Sequence, residues 1–211
     1  MKYRILTLVS LASLLAILSC QPGLYSELEE MQAPARFETT KGDFEIVSLR
    51  DWSPAGVDRL YQLIQSEFYT DIGIFRVVPG YVAQFGLHDD NSINNAWDER
   101  PLPDEPVLKA NTKGTIGFAR AGAETRTTQL FINLENNSPR LDTLTVGGVS
   151  GYPVVAEIVS GMDVVESFYD EYANEPSMQQ DSIRAGGNAF LQQNYPNIDY
   201  IKRAYLIGNE E

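Results

Sequence analysis

Apolar and polar positions along the chain change period several times, and each change marks an element. From Arg36 to Leu49 two β-rich, partly alternating runs flank Lys41-Gly42, which predicts a hairpin. Pro54 then opens a segment in which Val57, Leu60, Tyr61, Ile64 and Phe68 recur at helical spacing, an amphipathic helix with Pro in its first turn. Short β-like runs follow at Ile74–Val78, Val82–Phe85, Thr115–Ala119, Gln129–Leu134 and Val154–Val159, divided by Gly, Pro and Asn. Val164, Val165, Phe168 and Tyr169 predict a second helix from Met162 to about Tyr172. In the tail, Ile183, Phe190 and Leu191 suggest a helix weakened by Gly186-Gly187, and Tyr200–Ile207 a final strand. Many short strands with few helices predict a mainly β domain, a closed antiparallel barrel, because closure removes exposed strand edges.

The chain's start does not belong to that pattern. Lys2 and Arg4 precede an apolar run, Ile5 to Leu18, that is shorter than the ~20 residues a spanning helix needs and reads as a signal peptide over residues 1–19. Its ending, Ile17-Leu18-Ser19-Cys20, resembles the lipobox of bacterial lipoproteins. On that resemblance Cys20 becomes the lipidated N-terminus and tethers the protein to a membrane. The other reading is an ordinary signal peptide with an incidental Cys. Position 21 is Gln rather than Asp, which on the same resemblance favours the outer membrane, facing the periplasm or the cell surface. Residues 20–35 carry Pro22, Gly23, Pro34 and the acids Glu27, Glu29 and Glu30 without an apolar period, an acidic flexible tether to a domain over 36–211.

Composition narrows the functional classes. A chain of 211 residues with 43% hydrophobic residues can bury one sizeable core. Sixteen Lys and Arg against 29 Asp and Glu give a net charge of −13, and loss of Lys2 and Arg4 with the leader moves it to −15. A nucleic acid partner is therefore not expected, since phosphates would be repelled and no local basic patch stands out. One Cys and one His exclude an internal disulfide and a structural zinc cage.

Candidate chemistry is sparse. The stretch Trp97–Pro106 contains paired carboxylates, but its three prolines favour a solvated loop over acid–base catalysis. His88-Asp89-Asp90 is a weak cation motif and reads better as a loop. No strand–nucleophile–helix elbow surrounds any Ser, so any chemistry should be noncovalent.

Two segments say more. Phe75-Arg76-Val77-Val78-Pro79-Gly80-Tyr81-Val82-Ala83-Gln84-Phe85-Gly86 is followed by Lys113–Arg120 and by Thr128-Gln129-Leu130-Phe131-Ile132-Asn133. In order, spacing and residue type these resemble the cyclophilin family of peptidyl-prolyl isomerases, and Gly161–Val165 resembles the start of that family's second helix. The resemblance runs from Phe37 to Tyr169. It implies an eight-stranded closed antiparallel barrel capped by two helices, here with a C-terminal helix-strand extension. It also implies Xaa-Pro isomerase activity without a cofactor and, as partners, proline-containing unfolded or exported polypeptides met by a monomer.

Carried over by position, Arg76 matches the family's catalytic arginine, with Gln84 beside it. Tyr81, Val82, Phe131 and Leu141 match the apolar pocket for the proline ring. Gln129 matches a neighbouring polar group, Ala119 and Arg120 match the strand that pairs with substrate backbone, and Tyr152 falls where many members have His. Taken alone, Tyr81, Val82 and Phe131 read better as core residues, and only the flanking motif that carries the resemblance reverses this. Arg76 among apolar neighbours is more telling, because a guanidinium is costly to bury unless partnered or placed at an open pocket. Ser138-Pro139-Arg140 stands where many members carry an aromatic residue before the Leu-Asp pair. A barrel that only binds proline segments, as a chaperone or scaffold lipoprotein, is the alternative function.

Overall fold

In the computed structural model, which describes residues 32–208, the Lys41-Gly42 hairpin forms. It joins β1 (Ala35–Thr39) to β2 (Asp43–Val47), and the Thr39 N–H donates to the Gly42 carbonyl at 2.9 Å. The predicted leader, Cys20 and most of the predicted tether lie outside the described residues. Where the chain becomes described it is already held to the domain: the Gln32 N–H donates to the Ser48 carbonyl, and Ala35 is fully buried.

α1 (Pro54–Gln65) comes next with Pro at its start, its Val57, Leu60, Leu63 and Ile64 turned to the core. Then come β3 (Ile72–Gly73), β4 (Arg76–Val77) and β5 (Val82–Phe85). The short helix α2 (Asn91–Asp98) had no clear sequence signal, since only Ile93 and Trp97 make an apolar pair one turn apart. It is fixed by Asp90, whose carboxylate accepts from the Ser92 N–H at 2.8 Å. β6 (Thr115–Phe118), β7 (Leu130–Asn133), α3 (Arg140–Thr143), β8 (Thr145–Val146), β9 (Val149–Ser150), β10 (Val154–Ser160), α4 (Met162–Glu166), α5 (Gln180–Asn194) and β11 (Tyr200–Leu206) complete the described chain.

All strands except the β8–β9 hairpin belong to one curled, wholly antiparallel sheet in the order β3-β11-β1-β2-β10-β6-β7-β5-β4. The expectation of a closed barrel of eight strands is corrected by this order, which has nine strands and two ends. Its ends, β3 and β4, are halves of one segment broken at Ile74-Phe75, so each half pairs on one side only, β3 with β11 and β4 with β5. The break falls where Phe75 leaves the main core to be buried with Leu87, Ile183 and Leu191.

The expectation of two helices is corrected too. The second ends at Glu166 instead of Tyr172, because the Tyr169 N–H leaves the helical ladder to donate to the Asp199 carboxylate at 2.8 Å. The tail helix is longer than its glycines suggested. α5 runs through Gly186 and kinks at Gly187 (φ 56°, ψ −147°), where a Cβ would strike the Asp89 carboxylate.

Three apolar clusters result. The main core, between α1 and the sheet, stacks Phe37 on Phe44 at 4.9 Å with Tyr69 and Phe85 edge-on or tilted beside them. A second cluster seats α5 through Ile183, Leu191 and Tyr195. The third is small, only Val82, Phe131 and Leu141 with Tyr81, Ala119 and Tyr152 at its margin.

Candidate active site

Strand alternation sorts the site residues from the core. On β5, Ala83 and Phe85 enter the main core while Val82 and Gln84 take the opposite face; on β7, Leu130 and Ile132 enter it and Phe131 does not. The register sets Gln84 opposite both Arg76 and Phe131, so three strands bring the arginine, the amide and the aromatic ring together. Gly117 on β6 faces Phe131 across the ladder, and a Cβ there would lie 2.9 Å from the ring, so the glycine lets Phe131 lie flat over its neighbour. The short helix α3 brings up Leu141, buried against Val82 and Phe131.

These residues line a cleft of about 240 Å³, large enough for a small ring and a stretch of peptide. Its apolar side is Val82, Phe131 and Leu141 with the rings of Tyr81 and Tyr152, the latter edge-on to Phe131 at 5.6 Å. Tyr81, Val82 and Phe131 are thus no part of the main core. Ala119 and Arg120 continue β6 along the rim, the Ala119 N–H donating to the Gln129 carbonyl at 2.9 Å. Gln129 itself lines an adjoining cavity of about 290 Å³ that shares Gln84, Ala119 and Arg120 with the first.

Arg76 stands half-buried at the polar side, its guanidinium 5.4 Å from the Tyr81 ring centre. Burial lowers its pKa from the ordinary value, with the Tyr81 and Tyr152 phenols acting in the opposite sense. Its Nη1 donates to Gln84 Oε1 at 3.1 Å, Gln84 Nε2 to Gln129 Oε1 at 2.9 Å, and Gln129 Nε2 to Gln180 Oε1 at 2.8 Å. Every amide in this row donates in one direction, which fixes each one's rotation. Arg120 is a clamp instead: its side chain is fully buried, Nη2 donates to the Val149 carbonyl at 2.7 Å, and the guanidinium lies over Tyr152 at 4.8 Å. Arg140, at the start of α3, is exposed and lies over the Tyr81 ring at 4.8 Å, so a cation covers the rim in place of the aromatic residue that the resemblance led one to expect.

The structure therefore brings together nine of the ten predicted cleft residues in one cavity and places Gln129 in the next, one hydrogen bond away. Three polar contributors had no sequence signal beyond the length of the tail: Asn174, Ser177 and Gln180 reach the site from the segment before and at the start of α5. The acid-rich stretch also differs from expectation. Trp97 and Asp98 end α2, and Glu105 is no solvated acid but sits at the N-terminus of α1. There it accepts from Ser53 Oγ (2.5 Å), the Ala55 and Gly56 N–H groups (2.8 and 3.2 Å) and Arg126 (3.0 Å). His88 is a loop residue whose Nδ1 accepts from the Asp90 N–H.

The family model of cyclophilin-type peptidyl-prolyl cis-trans isomerases matches residues 35–187, most of the domain and all of this cleft. The chain belongs to that family. Its relatives include the peptidyl-prolyl cis-trans isomerase B of Escherichia coli, 34% identical over 152 residues that cover 69% of this chain and 89% of that protein. Another, the peptidyl-prolyl cis-trans isomerase of Acinetobacter baylyi, is 30% identical over 142 residues, 66% of this chain and 71% of the relative. Among solved structures, a cyclophilin-type isomerase of Cryptosporidium parvum superposes with a TM-score of 0.61 over 84% of this chain and 99% of that one, at 17% identity, and so shares the fold. This cyclophilin is thus a peptidyl-prolyl isomerase, and its curled nine-strand sheet is a form of the cyclophilin fold.

Proposed function

We propose that Arg76 catalyses Xaa-Pro rotation in this cleft on exported or unfolded polypeptides, and that the protein does so tethered to a membrane through lipidated Cys20. The observation that carries the site reading is the placement of a half-buried guanidinium, fixed by an amide, at the mouth of an apolar cleft made by Val82, Phe131 and Leu141.

Amide resonance gives Xaa-Pro rotation a barrier of about 18–20 kcal/mol and relaxation over tens to hundreds of seconds. A turnover of about 10 to 1000 per second needs that barrier lowered by roughly 4–7 kcal/mol, with no covalent intermediate. As the bond twists, resonance is lost and the proline nitrogen becomes a hydrogen-bond acceptor. Arg76 donates to that nitrogen, an interaction available only near the transition state. The apolar pocket of Tyr81, Val82, Phe131 and Leu141 holds the ring and favours the less polar twisted amide. Backbone groups of Ala119 and Arg120 hold the peptide while its carbonyl turns; Gln84 orients Arg76, Gln129 holds Gln84, and Tyr152 closes the rim.

The test is a protease-coupled proline isomerisation assay on the full chain. Arg76→Ala should lose most of the acceleration, about 2–4 kcal/mol in the barrier, while its circular dichroism and melting temperature stay close to the parent. A folded Arg76→Ala protein that turns over like wild type would reject the role given to Arg76.

A further inference from the structure

Arg76 is held at a second point. Its Nε–H donates to Asn174 Oδ1 at 2.7 Å, shorter than its bond to Gln84 and made on a different nitrogen. A planar guanidinium held at one nitrogen can still swing about that contact, whereas two contacts on different nitrogens fix its plane. Among the described residues no side chain bonds Nη2, so the second contact leaves that nitrogen for substrate. Among the same residues no carboxylate pairs with Arg76, although the chain is strongly acidic and Asp170, Glu171 and Glu175 flank the turn. Neutral amides on both sides fix the cation without cancelling its charge.

The turn that presents Asn174 is itself constrained. Ala173 adopts φ 45°, a left-handed conformation unusual for a residue with a Cβ, and its N–H donates to the Asp170 carbonyl at 2.9 Å. The Asn174 carbonyl accepts from Ser177 Oγ at 2.7 Å, and the Glu175 N–H donates to the Tyr172 carbonyl at 2.9 Å. Tyr172 in turn packs on Tyr169 and Tyr195, with ring centres 4.9 and 5.2 Å away, which ties the turn to the cluster beneath α5. A strained backbone held by tertiary contacts next to a reactive group is where strain is expected to serve positioning.

We infer that Asn174 is a positioning residue for the isomerase, fixing the Arg76 guanidinium from the side opposite Gln84 so that its free edge meets the proline amide. The inference rests on the catalytic role given to Arg76.

The experiment compares wild type, Asn174→Ala, Arg76→Lys and Arg76→Lys/Asn174→Ala, all as the full chain, in the proline isomerisation assay. Lysine keeps the charge but has no Nε–H for Asn174 to accept, so only a residue acting through Arg76 loses its effect in that background. Asn174→Ala should lower kcat/KM about tenfold, since small misplacements at a reacting centre are costly, and should add less than about twofold to Arg76→Lys. In 15N spectra the Arg76 Nε–H resonance should shift and exchange faster with water in Asn174→Ala, with the rest of the spectrum largely retained. Full activity in Asn174→Ala, or an equal loss in both backgrounds, would overturn the inference. If a folded Arg76→Ala protein instead turned over like wild type, the catalytic reading of Arg76 would fall first and this inference with it.

Discussion

At the scale of single residues, the site depends on small side chains as much as on reactive ones. Gly117 carries no chemistry, yet a Cβ on it would press the Phe131 ring at 2.9 Å and the Pro153 carbonyl at 3.1 Å. Gly117→Ala should therefore tilt Phe131 into the proline pocket and lower kcat/KM about tenfold, with a loss of stability of about 1–3 kcal/mol for an overpacked site. Proline-peptide titration followed by NMR would check it, and wild-type affinity with an unmoved Phe131 resonance would contradict the packing argument. Arg76, Gln84 and Phe131 were legible in the sequence because the two segments that carry the family resemblance contain them. Asn174 was not, because its contact with Arg76 spans 98 positions and no local spacing encodes it.

At the scale of elements, α1 shows how a distant side chain completes a helix. Ser53 precedes Pro54 but makes no capping bond to the helix's own N–H groups; Glu105 supplies the acceptor for Ala55 and Gly56, and is held there by Arg126, whose side chain is fully buried. Burial alone would raise the Glu105 pKa, but the bonds from Ser53, Ala55 and Arg126 together outweigh it and hold it below its ordinary 4.5. A carboxyl depressed in the folded state stabilises the fold above its unfolded pKa, and that contribution is lost as pH falls through the folded value. Melting temperature should therefore drop as pH goes below about 4.5. Glu105→Ala should cost about 3 kcal/mol at pH 7, because it strands a buried cation, and should flatten the acid-side dependence. An unchanged slope in that variant would assign the acid sensitivity to other carboxylates. Pro101, Pro103 and Pro106 correctly marked a loop after α2, but proline content does not say whether a loop acid faces water or a helix end.

At the scale of the whole molecule, the proposed lipid anchor at Cys20 and the net charge bear on where the protein acts and on which peptides reach it. On the proposed lipoprotein reading, Cys20→Ser should release the protein from the detergent-extracted membrane fraction, because acyl chains at that position would supply the membrane affinity. Membrane association that survives the substitution, in a protein whose leader has been removed, would reject the lipoprotein reading. The excess of acids should also favour proline segments flanked by Lys or Arg, and added salt should weaken that preference, since long-range attraction is screened over about 10 Å at 0.1 M. A lysine-flanked and a glutamate-flanked peptide with equal kcat/KM at low salt would show that the field does not reach the cleft.

The mainly β character, the Lys41-Gly42 hairpin and the first helix were all written in the order of residues. Each of these follows from periodicity and turn chemistry within a dozen residues, so local physics suffices. That the sheet ends at β3 and β4 was settled only by packing, because the break at Ile74-Phe75 depends on α5 burying Phe75 from a segment more than 100 residues later. The same holds for the early end of α4, which Asp199 sets across the fold, and for the segment before α5 becoming a wall of the active site. In each case a local preference was weighed against a contact between segments distant in sequence, and burial of an aromatic ring or satisfaction of a backbone N–H outweighed it.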